Sequence, residues 1–184
     1  MTYADLINVM SDLVKASTYL EIDIGPGTHF DEVNVSSKYA VGEDSEFRPF
    51  FLMSVEDFHR TYDGLYFDLM FIDGLLLPYS ACKLNLFRAL DWMKPDSAIV
   101  VRGLWPARST KEVPAAQAFA EILADDTYSG FSIKDSGGLG VLMRRRSVHA
   151  LPPLTFKYTH LREHPELINL KTNFAAGWKE LMGR

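Results

Sequence analysis

The chain has 184 residues, 47% hydrophobic, 23% charged and 12% aromatic, a balance that excludes a disordered, collagen-like or coiled-coil polypeptide and suits one core. The net charge of −5 hides an asymmetry, since residues 1–143 carry 11 basic and 21 acidic side chains and residues 144–184 carry 8 basic and 3 acidic ones. An acidic body repels phosphate, so nucleic-acid binding is not expected, and the aromatic and aliphatic residues spread through the basic tail suit a helix docked on that body.

Met1 to Asp12 lacks the basic stretch and unbroken apolar segment of a leader, and no apolar run approaches the roughly 18–20 residues of a membrane helix. A cytoplasmic protein without membrane contact is the reading. From Tyr3 to Lys15, Leu6, Ile7, Met10, Leu13 and Val14 fall at helical spacing, with Thr2 placed to cap. Thr18 to Ile24 reads as a strand running into the loop Gly25-Pro-Gly27, followed by a short helical stretch from about His29 to Val35. Lys38 to Gly42 and Pro49 to Met53 are short strands, and Ser54 caps a helix through Val55, Phe58 and His59. Tyr66 to Ile72 is the most strongly β stretch and stops at Asp73-Gly74. A helix over Tyr79 to Met93 contains Cys82, the one cysteine, which excludes an internal disulfide and a paired-cysteine zinc site and reads as a small buried thiol. Lys94 to Ser97 is a turn into the apolar strand Ala98 to Val101, of the kind buried on both faces of a parallel sheet. Val113 to Ala124 is helical. Strands near Gly130 to Lys134 and Leu139 to Arg144 flank Asp135-Ser-Gly-Gly138, a hairpin signal that predicts an antiparallel edge.

Five strands interleaved with helices, then a hairpin, predict an α/β fold: a doubly wound, mostly parallel seven-stranded sheet with one reversed strand. Residues 1–150 form this domain, and 151–184 form a helical tail packed on it.

Ligands of open α/β sheets bind at the carboxyl ends of the strands, where chain order reverses. Four such ends carry suggestive residues: Glu21 to Gly27 with its glycines, Glu43-Asp44 able to accept ribose hydroxyl protons, Ser54, and Asp73-Gly74. A nicotinamide fingerprint needs a third glycine where this chain has Phe30, and no P-loop sequence occurs. The five histidines show no metal spacing, and no metal site is expected. Tyr79 and Trp105 are candidates for an acceptor pocket or for the core, and Arg144 to Arg146 read as a solvated sheet edge.

These segments resemble the small class I S-adenosylmethionine-dependent methyltransferases with a Rossmann-like fold. The likeness lies in Tyr19 to Phe30, Tyr39 to Asp44, Phe67 to Gly74 and Ala89 to Pro95, and covers roughly residues 18 to 145. It implies S-adenosylmethionine (SAM) as cofactor and a small-molecule acceptor whose identity it leaves open, as it does homo-oligomer formation. Glu21, Gly25 and Gly27 would shape the methionine-binding loop, with Asp23 beside it. Glu43 or Asp44 would bind ribose, Ser54 would lie near adenine, and Asp73 would sit beside the reacting centre. The chain departs from the family in three places. Asp23 stands where the first glycine of the loop belongs, Leu75-Leu76 replace Leu-His after Asp-Gly, and Arg102-Gly103 replace His-Asp at the end of strand five. Arg102 could clamp an anionic substrate or pair with Asp73. Two functions follow: methyl transfer to a small molecule, with Asp73 and Arg102 at the reacting centre, or a catalytically inactive relative serving as a binding or assembly module.

Overall fold

The computed structural model describes residues 2–24, 30–47, 50–105, 113–125, 127–134, 137–144, 171 and 174–181. Helix α1 (Tyr3–Val14) begins with a reciprocal capping box: Asp5 N–H donates to Thr2 Oγ1 at 3.0 Å, and Thr2 N–H donates to the Asp5 carboxylate at 2.8 Å. Left-handed Lys15 ends it. The strands are β1 (Thr18–Ile22), β2 (Ser37–Gly42), β3 (Phe51–Leu52), β4 (Phe67–Asp73), β5 (Met93–Arg102), β6 (Tyr128–Ile133) and β7 (Leu139–Arg144). Helices α2 (Val55–Thr61), α3 (Tyr79–Asp91) and α4 (Pro114–Leu123) connect them, and α5 (Phe174–Leu181) follows.

The seven strands form one sheet in the order β3-β2-β1-β4-β5-β7-β6. Pairs from β3 to β5 are parallel, whereas β7 is antiparallel to both β5 and β6. The single reversed strand is therefore β7, inserted one place inside the sheet, with β6 rather than the hairpin as a whole at the edge. Strand alternation sorts the core into two layers. Leu20, Ile22, Met70, Ile72, Ile99 and Val101 face α2, α3 and α4 through Phe58, Leu86 and Phe119. Tyr19, Leu69, Phe71, Ala98 and Val100 face α1 through Tyr3, Leu6, Ile7 and Met10, with Trp178 and Leu181 of α5 packed on the same layer.

Helix α5 docks on β6 because Gly177 has no side chain: a Cβ there would lie 2.1 Å from the Phe131 ring. Just before it, Lys171 N–H donates to Ser132 O at 2.8 Å. Residues 145–170 lie outside the described set, and with them Arg145, Arg146 and most of the tail.

Several boundaries differ from the sequence reading: β1 ends at Ile22 rather than Ile24, and β4 runs from Phe67 to Asp73 rather than from Tyr66 to Ile72. The stretch expected from His29 to Val35 is, where described, one 3-10 turn at Phe30–Glu32, and the strand expected from Pro49 to Met53 pairs over only Phe51–Leu52. Helix α3 ends at Asp91, short of Met93. Lys94 to Ser97, expected as a turn before the strand, lies within β5 as a bulge: the register jumps from Phe67↔Met93 to Leu69↔Ala98, Asp96 is left-handed, and Ser97 Oγ donates to Lys94 O at 2.7 Å.

Asp68 ties the amino ends of three central strands together. Its Oδ2 accepts the Ser17 and Thr18 N–H groups, both at 3.0 Å, and the hydroxyls of Ser17 at 2.8 Å and Thr18 at 2.9 Å, while Oδ1 pairs with Lys94 Nζ at 2.8 Å. Burial pushes its pKa up, but Lys94 and the Ser17 and Thr18 donors outweigh this and hold the carboxyl well below the usual range. A depressed folded pKa stabilises the fold in full above the unfolded value of about 4 and loses that stabilisation as pH falls below it. Asp68→Asn is therefore expected to lower stability by about 2 kcal/mol at pH 7. In urea unfolding curves its deficit relative to the parent should shrink steadily from pH 5 toward pH 2.

Candidate functional site

The neighbours of β1 lead in opposite directions along the sheet, β2 toward one edge and β4 toward the other. In an open α/β sheet such a reversal of chain order marks the rim, at the carboxyl ends of the strands, where a ligand crevice is expected. The registers Ile22↔Val41, Ile22↔Ile72 and Asp73↔Arg102 bring Asp23, Glu43, Asp73 and Arg102 to neighbouring positions on that rim.

Asp23 adopts φ +61°, the left-handed region that glycine enters freely and that aspartate and asparagine tolerate best among other residues. The conformation expected of the loop's first glycine is thus kept by a residue that adds a carboxylate. Asn85 Nδ2, from the buried face of α3, donates to Asp23 Oδ2 at 3.5 Å, and Ile24 N–H continues the ladder to Val41 O at 3.1 Å. Burial pushes the Asp23 carboxyl upward, Asn85 draws it back, and the Glu43 charge adds to the rise.

Glu43 is exposed at the end of β2. Asp44 is exposed too, and its Oδ1 accepts the Glu46 N–H at 2.9 Å in an Asx turn. Ser54 is likewise engaged: its Oγ accepts the Asp57 N–H at 3.0 Å and donates to Asp57 Oδ2 at 2.8 Å as the N-cap of α2. Glu21 is buried among the α1-facing residues, where Tyr19 OH donates to its Oε2 at 3.1 Å. Burial first, and then the Glu21 charge, push the Tyr19 phenol upward. Gly25, Gly27 and His29 lie outside the described residues.

Asp73 and Arg102 meet at the ends of β4 and β5, Arg102 Nη1 to Asp73 Oδ2 at 2.8 Å. Asp73 Oδ1 accepts the Leu75 N–H at 3.1 Å, so both carboxylate oxygens are engaged. The Arg102 guanidinium lies 4.9 Å from the centre of the Tyr3 ring, which stacks on Phe71 at 5.0 Å. Gly74 is required by close approach: a Cβ would lie 2.7 Å from Ala115 Cβ and 2.9 Å from Arg102 O. The Cys82 thiol donates to Gly74 O at 3.7 Å and Leu77 O at 3.6 Å. Burial and the charges of Asp23 and Asp73 push its pKa up to about 12.

The structure thus brings Asp23, Asp73 and Arg102 around the crevice with Glu43 at its outer rim, and ties Asp44 and Ser54 into local caps. Asn85 and Cys82 were not among the sequence candidates for the crevice. A buried asparagine within the apolar stripe Cys82, Leu86, Ala89 is the signal that would have found the first. Tyr79 lies between α3 and α4, with its hydroxyl donating to Glu121 Oε1 at 2.5 Å and receiving Lys83 Nζ at 3.1 Å. Trp105 packs partly on the core, with Lys134 Nζ 4.3 Å from its ring centre. Among the described residues no three His, Cys, Asp or Glu side chains are placed to hold a metal ion, and no helix is long and apolar enough to cross a membrane.

Strand order and the reversed seventh strand define the Rossmann-like fold of class I methyltransferases, and solved structures of such enzymes align with it. An O-methyltransferase from Bacillus cereus, in complex with S-adenosylhomocysteine (SAH), matches with a TM-score of 0.60 at 13% identity over 78% of this chain and 80% of that one. TomG, an O-methyltransferase of Streptomyces achromogenes involved in tomaymycin synthesis and solved with SAM, matches with a TM-score of 0.57 at 16% identity over 77% and 79%. A SAH-bound methyltransferase from Podospora anserina gives 0.55 at 12% identity over 78% of each chain. No family model matches the sequence, and no curated protein matches it.

A thiol with so high a pKa is almost wholly protonated at pH 8 and shielded by the α3 packing. Cys82 is expected to resist alkylation by iodoacetamide in the folded protein and to react fully in urea, with mass spectrometry as the readout. Rapid labelling without denaturant would show that the crevice wall is open at α3.

Proposed function

We propose that this chain is a SAM-dependent methyltransferase acting on a small-molecule acceptor. The observation that carries the reading is the reversal of strand order at β1, in a fold shared with enzymes solved with SAM or SAH. The residues fit the cofactor's polar groups. Glu43, exposed at the end of β2 and free of the turn that holds Asp44, would accept the ribose hydroxyl protons. The loop through Gly25 and Gly27, based on Glu21, would pass beneath the methionine portion, and the start of α2 at Ser54 would flank the base. Bound SAM supplies a methyl group on a positively charged sulfur, open to in-line attack by an oxygen, nitrogen or carbon nucleophile.

Alignment dominates such a reaction, and a base matters chiefly for acceptors that must lose a proton. The Asp73–Arg102 pair would act by position: Arg102 is held between Asp73 and the Tyr3 ring and keeps the ends of β4 and β5 together at the crevice floor. The tail from 151 to 184 belongs to the same domain in this reading, supported by the contacts of Lys171 and α5 with β6.

A second reading, an inactive relative that serves as a binding or assembly module, is favoured by one observation. Both Asp73 oxygens are committed, and Leu76, at the position of the family's histidine, is 84% exposed and carries no base. Isothermal titration separates the two. SAH is expected to bind in the micromolar range, and Glu43→Ala to weaken it about tenfold, or about 1.4 kcal/mol. The absence of heat with SAH and SAM at millimolar concentration would leave the module reading standing.

A further inference from the structure

We propose that Asp23, rather than Asp73, whose two oxygens already face Arg102 and the Leu75 N–H, is the carboxylate that receives the ammonium group of the cofactor's methionine end. The inference rests on the nucleoside-binding reading above and adds a specificity-determining residue to it. Three observations lead to it.

The first is position. Asp23 directly follows β1 in a left-handed turn, at the carboxyl-end rim of the sheet, with its carboxylate toward Asn85 of α3 and within the field of Glu43. The second is its lack of compensation. The Asp23 carboxylate is half-buried, and among the described residues its one hydrogen-bond partner is Asn85 Nδ2, at the long distance of 3.5 Å, with no cation in ion-pair range. The other rim carboxylate on the central strands, Asp73, has an arginine at 2.8 Å and a backbone N–H at 3.1 Å. A half-buried carboxylate left without a cation is costly unless a ligand brings one, and an ammonium does so through charge-assisted hydrogen bonds. The third is the surrounding field. The Glu43 charge raises the Asp23 pKa, so a second carboxylate lies near enough to add to the negative potential at Asp23.

The cofactor's ammonium is carried by SAM and SAH and is missing from 5′-methylthioadenosine, which keeps the nucleoside and the sulfur. That difference supplies the test, with Asp23→Asn as the variant: asparagine keeps the size and tolerates the left-handed backbone, and it removes only the charge. Titrations of the intact chain with SAH and with 5′-methylthioadenosine are expected to show SAH affinity falling tenfold or more in the variant, with 5′-methylthioadenosine affinity unchanged within twofold. Equal losses for both ligands would assign Asp23 a structural role, and unchanged or tighter SAH binding would make it a bystander or an obstacle; either result overturns the proposal. If the parent chain binds 5′-methylthioadenosine but Asp23→Asn leaves SAH unaffected, the crevice reading survives and this inference alone fails. If the parent binds neither ligand, both fall together.

Discussion

The register of β1 against β4 determines which side chains reach the rim of the sheet, and Asp68 fixes that register from the opposite end. Its one carboxylate gathers two backbone N–H groups and two hydroxyls from the start of β1, while its other oxygen holds Lys94 in β5. A slip of one residue would exchange the two faces of a strand and move Ile22 or Ile72 out of the layer in which it packs. Because the charge-assisted hydrogen bonds of Asp68 are lost together when the pairing shifts, such a slip is opposed by several contacts at once. The crevice at the carboxyl ends inherits its layout from this clasp: Ile22 stays beside Ile72, so Asp23 and Asp73 emerge on the same rim.

That rim combines a left-handed turn with a carboxylate at the turn itself. The left-handed turn after β1 can be made by glycine at no steric cost, and by aspartate at a modest one. The chain takes the second option and gains a negative charge at the head of the crevice. At the end of β5 it carries Arg102, which neutralises Asp73 and leaves Asp23 with an asparagine. The rim thus holds a paired acid at β4 and, among the described residues, one without a cation at β1.

Much of this was readable from sequence because the signals were local. Apolar runs at Phe67 to Ile72 and Ala98 to Val101, the Ser54 and Thr2 caps, and the Asp135 to Gly138 turn each encode their element through nearest neighbours, and the interleaving of strands and helices gave the α/β sheet. What escaped depends on partners distant in sequence. The bulge at Lys94 to Ser97 exists because β5 must regain register with β4 after Phe67 pairs with Met93, and composition alone reads that segment as a turn. Placement of β7 inside β6 is a choice of pairing that a hairpin signal leaves open. The site divides in the same way. Asp23, Glu43, Asp73 and Arg102 stand out at strand ends, but the engagement of Asp44 by Glu46 is decided by side-chain geometry. Asn85 is marked in the sequence only as a polar residue in an apolar stripe, and its partner Asp23, 62 residues away, becomes visible once α3 lies over β1.

The amino-terminal helix connects this geometry to the stability of the whole. Its capping box fixes the first turn of α1, which places the Tyr3 ring flat on Phe71 and beneath the Arg102 guanidinium. Arg102 is therefore held by an aromatic face on one side and a carboxylate on the other, with its side chain 23% exposed and that of Asp73 30% exposed. At that exposure solvent weakens the ion pair, and the pair alone contributes about 1 kcal/mol or less. Its geometric effect exceeds that, because a guanidinium pinned by two partners loses the freedom to swing into the crevice. The floor at β4 and β5 is rigid and internally neutralised, whereas the head at β1 keeps an unsatisfied charge. In the proposed function a cationic group would be received at the β1 turn, while the Asp73–Arg102 pair holds the ends of β4 and β5 together on the opposite side.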